Sequence, residues 1–138
     1  MLHPDGLPDL FLDRSLGGIQ VPRMLRHAGL RLTTLSEHYG IPADENVKDE
    51  EWLELAGSNG WVVFMKDARI RYNRAEREAV VRHQVRCFCL SSQTLNGGAM
   101  ANRFLDHLDA ITAACTNDGP LIYAVHQTRI ERLTMSAV

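Results

Sequence analysis

Gly60-Trp61-Val62-Val63-Phe64-Met65-Lys66-Asp67 is an apolar run opened by a glycine and closed by two charges. A short unbroken apolar run fits a strand covered on both faces, as in a parallel sheet. The side chain that ends such a strand stands at the carboxyl edge of the sheet, where open α/β folds hold their ligands. A second stretch, Asp9-Leu10-Phe11-Leu12-Asp13, has the same form and also ends in an aspartate. Two apolar strands that deliver a carboxylate to one edge organise the rest of the chain.

Outward from these strands, the pattern alternates between strand and helix. Residues 1–8, with two prolines and a glycine, read as a loose lead-in. After the first strand (9–13) a helix carries Met24, Leu25 and Ala28 on one face and stops at Gly29. Residues 30–35 form the second strand, and 36–47 a loop or irregular helix broken by Gly40 and Pro42. A helix from Asp49 to about Ser58 buries Trp52, Leu53, Leu55 and Ala56. The third strand is 61–66. Asn73-Arg74-Ala75-Glu76 reads as a cap that opens a helix to about His83. The fourth strand is 85–90, a long helix covers 99–115, and the fifth strand is 121–125. The tail, 126–138, has room for a short helix. This alternation predicts one three-layer α/β/α domain over 1–138. Its parallel sheet would have four to five strands in the order 2-1-3-4-5. That order brings Asp13 and Asp67 together.

Composition narrows the function. The chain has 138 residues, 45% apolar and 23% charged, with a net charge of −2. These values suit a globular protein and exclude a globally basic nucleic-acid binder, but not a local basic face. The N-terminus lacks the basic and apolar regions of a signal peptide, and no run reaches the length of a membrane span. Three cysteines form no disulfide framework and suit a reducing cytoplasm. Cys87, Cys89 and Cys115 read as core residues.

Between Asp44 and Glu54 six acids (Asp44, Glu45, Asp49, Glu50, Glu51, Glu54) stand against Lys48, a local charge of −5. Asp49 also reads as a helix cap, and Glu50 and Glu51 suit a helix N-terminus. Carboxylates gathered at one crevice repel unless a cation neutralises them. A hard divalent ion, Mg²⁺ or Mn²⁺, takes such oxygens and activates water for phosphoryl chemistry. Asp13, Asp49 and Asp67 are the candidate ligands, with Glu50 in reserve. Past Lys66, residues 69–86 hold six arginines and two glutamates, a local charge of +4. Lys66, Arg69 and Arg71 are candidates for holding phosphates beside the acids. His126 and Arg129, just past the fifth strand, are expected at the crevice rim.

Phe11-Leu12-Asp13, Asp49-Glu50-Glu51-Trp52-Leu53-Glu54-Leu55-Ala56 and Val62-Val63-Phe64-Met65-Lys66-Asp67 together resemble the PIN-like nuclease domains. Within them the pattern is most similar to the small VapC-type toxins of bacterial toxin–antitoxin pairs. The resemblance spans about residues 9–90. It implies a metal-dependent endoribonuclease using Mg²⁺ or Mn²⁺, with Asp13, Asp49 and Asp67 as its acids. It also implies a cognate antitoxin as partner besides RNA, and leaves a homodimer open. Met65 stands where the family often has Thr or Ser, and Arg69 where it often has an acid or Asn. For the acid that full PIN domains carry on an earlier helix, Glu37, Asp44 and Glu45 are the candidates.

Two other readings compete. A receiver-type phosphoacceptor gathers aspartates at the same edge, but it wants a lysine ending the fifth strand, where His126 stands. A PIN-like scaffold with a vestigial site would be a pure interaction module.

Overall fold

The computed structural model describes residues 2–135, and at Arg69 the backbone alone. Among the described residues six strands form one sheet in the order β2-β1-β3-β4-β5-β6. They are β1 (Leu10–Leu12), β2 (Leu32–Thr34), β3 (Val62–Met65), β4 (Arg86–Leu90), β5 (Leu121–Val125) and β6 (Ile130–Arg132). The first five are mutually parallel and β6 runs antiparallel to β5. Leu12 lies opposite Phe64, so Asp13 leaves β1 level with the end of β3.

The apolar runs are unbroken because both faces are covered. Leu10, Leu12, Val62, Phe64, Phe88 and Leu90 face one way. They pack under α1 (Gln20–His27), α5 (Gly97–Asp106) and α6 (Leu108–Ala114). Phe64 stacks on Phe104 with ring centroids 4.2 Å apart. Phe11, Val63, Met65, Cys87 and Cys89 face the other way. Their cover is α3 (Asp49–Asn59) and α4 (Arg74–Arg82), led by Trp52, Leu53 and Val80. The alternation along each strand is the period-two rule applied to two cores. Each buried Leu or Phe contributes about 1.5–3 kcal/mol. All three cysteines are free and buried, as the sequence predicts.

Gly60 ends α3 in the left-handed conformation, φ +67°, and its N–H bonds the Ala56 and Gly57 carbonyls. A residue with a Cβ would be strained there. Gly57 has a different reason: a Cβ on it would stand 2.4 Å from the His83 carbonyl oxygen. That glycine sets how closely α3 approaches the end of α4.

The 36–47 segment takes the second of its two expected forms, an irregular helix interrupted at Gly40 and Pro42. It holds α2 (Leu35–Tyr39), opened by a Thr34–Glu37 capping box, and a 3-10 turn over 43–46. Other sequence expectations are corrected. The long 99–115 helix is two helices, parted at His107. Its buried stripe (Met100, Phe104, Leu108, Ile111, Cys115) runs across the break, so periodicity alone does not reveal it. The lead-in is tied down: His3 is buried, and its ring bonds the Leu7 carbonyl at 2.7 Å and the Arg31 N–H at 3.0 Å. The tail folds back as β6 rather than a helix, with residues 136–138 outside the described range. A single apolar residue, Ile130, gives β6 little sequence signature, and pairing of its backbone with β5 makes the strand. No helix among the described residues is long and apolar enough to cross a membrane.

Candidate active site

At the carboxyl edge of the sheet lies an open cleft of about 420 Å³. Asp13, Asp49, Asp67 and Glu76 line it, with Arg14, Ser15, Met65 and Ile70. Asp13 arrives from the end of β1 and Asp67 from just past β3. Asp49 opens α3, and Glu76 sits in the first turn of α4.

Asp13 is 8% exposed. Its Oδ1 accepts from the Ser15 N–H at 3.2 Å and from the Ser15 hydroxyl. That hydroxyl in turn accepts from the Lys66 N–H at 2.9 Å, so Ser15 ties the ends of β1 and β3 together. Burial lifts the Asp13 carboxyl from its ordinary 3.8 to about 6. The Ser15 bonds pull the other way, and Asp49 adds repulsion. Capping the turn at 14–16 and lining the cleft are thus done by one side chain.

Asp49 is not the cap the sequence suggests. Lys48 holds that position, without a side-chain bond. The Asp49 carboxylate instead accepts from the Trp52 indole N–H at 2.9 Å, and Trp52 is fully buried. A rigid core ring therefore aims this carboxylate.

Glu76 is the acid that sequence reading passed over. Its N–H caps on Asn73 Oδ1 at 3.0 Å, which matches the expected opening of α4. Its carboxyl, however, hydrogen-bonds the Asp49 side chain. Burial, that bond, and the negative charge of Asp49, Glu50 and Asp13 push Glu76 up to about 8. Its signal in the sequence is an acid set between Arg74 and Arg77 on the helix after Asp67, at a position that helix capping also accounts for.

Other expectations fare differently. Glu50 lines the neighbouring cleft between α3 and α4, with Glu54, Ala79 and His83, rather than the one holding Asp13. Lys66 is half-buried, and its carbonyl accepts from Gln93 Nε2 at 3.4 Å. Arg71 lies over the Tyr72 ring, 4.5 Å from its centroid, and its Nε is buried without a hydrogen-bond partner among the described residues. The Arg69 side chain lies outside the described structure. His126 and Arg129 do not line the acidic cleft. Both face Glu131 across the β5–β6 hairpin, at 2.8 Å and 3.8 Å. The hairpin's charge pairing claims them, because β6 returns beside β5. Of the earlier-helix acids, Glu37 is taken by its capping box and by Arg26 at 2.7 Å. Asp44 lines a small cavity of about 120 Å³ that shares Asp13 and Arg14 with the main cleft, and Glu45 is exposed. Arg14 pins that loop by donating to the Asp44 and Val47 carbonyls, at 3.2 and 2.6 Å.

Among the described residues no three acids, histidines or cysteines are drawn into a ready-made ion cage. The donor chemistry nevertheless fits a hard cation: four carboxylates, one buried and one protonated at neutral pH, share one cleft. An octahedral ion of the Mg²⁺ type keeps several waters and needs only one or two carboxylates.

A family model described as "PIN like domain" matches residues 8–92. A protein of Mycobacterium tuberculosis (strain ATCC 25618 / H37Rv), named "Putative ribonuclease VapC45", is 42% identical over 127 residues, 92% of either chain. No solved structure matches this chain. The span matched by the family holds β1 through β4 and all four acids of the cleft. On that match and that relative, the chain belongs to the PIN-like domain family.

Proposed function

We propose that this chain is a divalent-metal-dependent endoribonuclease of the VapC type, the toxin of a toxin–antitoxin pair acting in the cytoplasm. One observation carries the reading: carboxylates from β1, α3, the end of β3 and α4 converge on one cleft at the carboxyl edge of the sheet. Family membership and the relative named a ribonuclease support it. Metal dependence is the general property of PIN-like nucleases; the choice of Mg²⁺ or Mn²⁺ is our reading of an all-oxygen donor set.

When bound, the ion supplies charge neutralisation and activation of water at the scissile phosphodiester. Asp13 and Asp67 would hold it, since each leaves a buried strand and has little freedom. Asp49, aimed by Trp52, completes the set. Glu76, whose carboxyl is pushed up to about 8 beside Asp49, would hold a proton at neutral pH while no ion is present and could yield it to solvent where a cation neutralises the cleft. Arg71, with Lys66 and Arg69 near it in sequence, would hold backbone phosphates without reading bases. His126 and Arg129 would act at most through the hairpin they stabilise. The expected partners are RNA, a cognate antitoxin and, as an assembly state, a second copy of the chain. Sedimentation of the antitoxin-free protein tests that last point.

The decisive assay incubates purified, antitoxin-free protein with RNA and Mn²⁺ beside Asp13→Asn and Asp67→Asn. Cleavage should fall at least about 100-fold in both variants, the scale of one lost electrostatic group. Equal cleavage by all three proteins would place the activity elsewhere. Met65 on the cleft wall, where the family often has Thr or Ser, favours one rival: a vestigial interaction module. Calorimetry showing no divalent-ion binding would support that rival.

A further inference from the structure

We infer that Tyr72 is a base-stacking platform that sets the register of single-stranded RNA in the acidic cleft; this rests on the ribonuclease reading above. Tyr72 is 63% exposed, the aromatic among the large apolar side chains that the described residues leave in solvent. Its place in the chain is not arbitrary. Residues 68–73 connect Asp67 to the first turn of α4, which carries Glu76, and both of those acids line the cleft. Within this connection Ile70 is buried and forms part of the cleft wall. Tyr72 is two residues on, at most about 7 Å of backbone from that wall, and its ring stands in water.

The ring is also prepared on one side. The Arg71 guanidinium lies 4.5 Å from its centroid, a cation–π contact that restrains the ring and sets a positive charge next to it. The Arg77 guanidinium bonds the Arg71 carbonyl at 3.2 Å and braces the turn from α4. An exposed aromatic beside basic side chains matches the demands of a single strand: a flat surface for a base and cations for its phosphates. The positive run from Arg69 to Arg86 favours a polyanion over an apolar protein surface as the occupant. A base stacked on Tyr72 would fix where the neighbouring phosphate falls relative to the acids, so the ring would position the cut as well as add affinity.

The test measures binding of a fluorescent single-stranded oligoribonucleotide in EDTA, so that no cleavage occurs. A matched oligonucleotide with abasic positions serves as control. Tyr72→Ala should weaken binding by about 5- to 150-fold, the scale of one lost stacked base. The abasic control should bind wild type and variant alike, and Tyr72→Phe should bind as wild type does. A 2-aminopurine in the oligonucleotide should be quenched by wild type and Tyr72→Phe but not by Tyr72→Ala. Because Tyr72 is exposed, the thermal midpoint should be unchanged, which separates lost stacking from lost fold. Unchanged binding by Tyr72→Ala overturns the inference. So does equal loss in Tyr72→Phe, which would indicate a hydroxyl contact. So does a variant that keeps RNA but loses a co-expressed antitoxin, which would make the ring a protein contact. If wild type cuts RNA while Tyr72→Ala matches it in binding and cleavage pattern, this inference fails alone. If wild type neither binds nor cuts RNA, the ribonuclease reading fails and takes this inference with it.

Discussion

Asp13→Asn should make the metal-free protein more stable, and the gain should depend on pH. Burial raises the Asp13 carboxyl from 3.8 to about 6, so the native state penalises its ionised form. At 1.36 kcal/mol per pH unit this rise is worth about 3 kcal/mol. The sign follows from linkage. Between about pH 4 and pH 6 the native state holds a proton that the unfolded chain has released. Stability from this group is therefore highest at the acid end, falls as pH rises through that window, and stays at its lowest above about 6. Asparagine has no such titration, and its Oδ1 can still accept the two Ser15 bonds that organise the turn. Wild type and variant should have similar stability near pH 4, and the variant should lead by about 3 kcal/mol at pH 7.5, or roughly 10 °C in Tm for a chain of this size. Denaturant melts in EDTA at several pH values measure the difference. Adding Mn²⁺ should close the gap, because the ion binds and stabilises wild type more. A variant less stable than wild type at pH 7.5, or a difference that ignores pH, would refute the reasoning.

Four further outcomes test other parts of the site. Mn²⁺ binding between about pH 6 and pH 8, where Asp13 is already ionised, should release a proton, read as a buffer-dependent calorimetric enthalpy, and affinity should rise with pH across that window; Glu76→Gln should abolish the release there. Trp52→Phe keeps an aromatic in the core but removes the bond that aims Asp49, so kcat should fall about 10-fold or more while the fold survives. Gly57→Ala should destabilise by about 1–3 kcal/mol in a thermal melt despite alanine's better helix propensity, because its Cβ meets the His83 carbonyl. Arg71→Ala should weaken RNA binding and lower the slope of log K against log salt by about 1, measured by anisotropy across a salt series.

The parallel sheet, its order through β5 and the two aspartates at its edge are legible in the chain alone. Those properties are local: an apolar run covered on both faces, a charge that ends it, and helical stripes between the strands. Val62–Met65 states its burial in four consecutive residues, and Asp67 needs only the strand before it to be placed. Tertiary structure decided what depends on neighbours far along the chain. Glu76 joins the site because α3 and α4 pack closely enough for its carboxyl to reach Asp49, an approach that Gly57 permits. Glu50, one residue from Asp49, turns to another cleft, since successive helix positions lie about 100° apart around the axis. His126 and Arg129 answer to Glu131 because β6 folds back on β5, a pairing made by backbone groups that every residue carries. Asp13's raised pKa belongs to this second class as well: the residue is in the sequence, but the desolvation that perturbs it exists only once both cores have closed around the sheet.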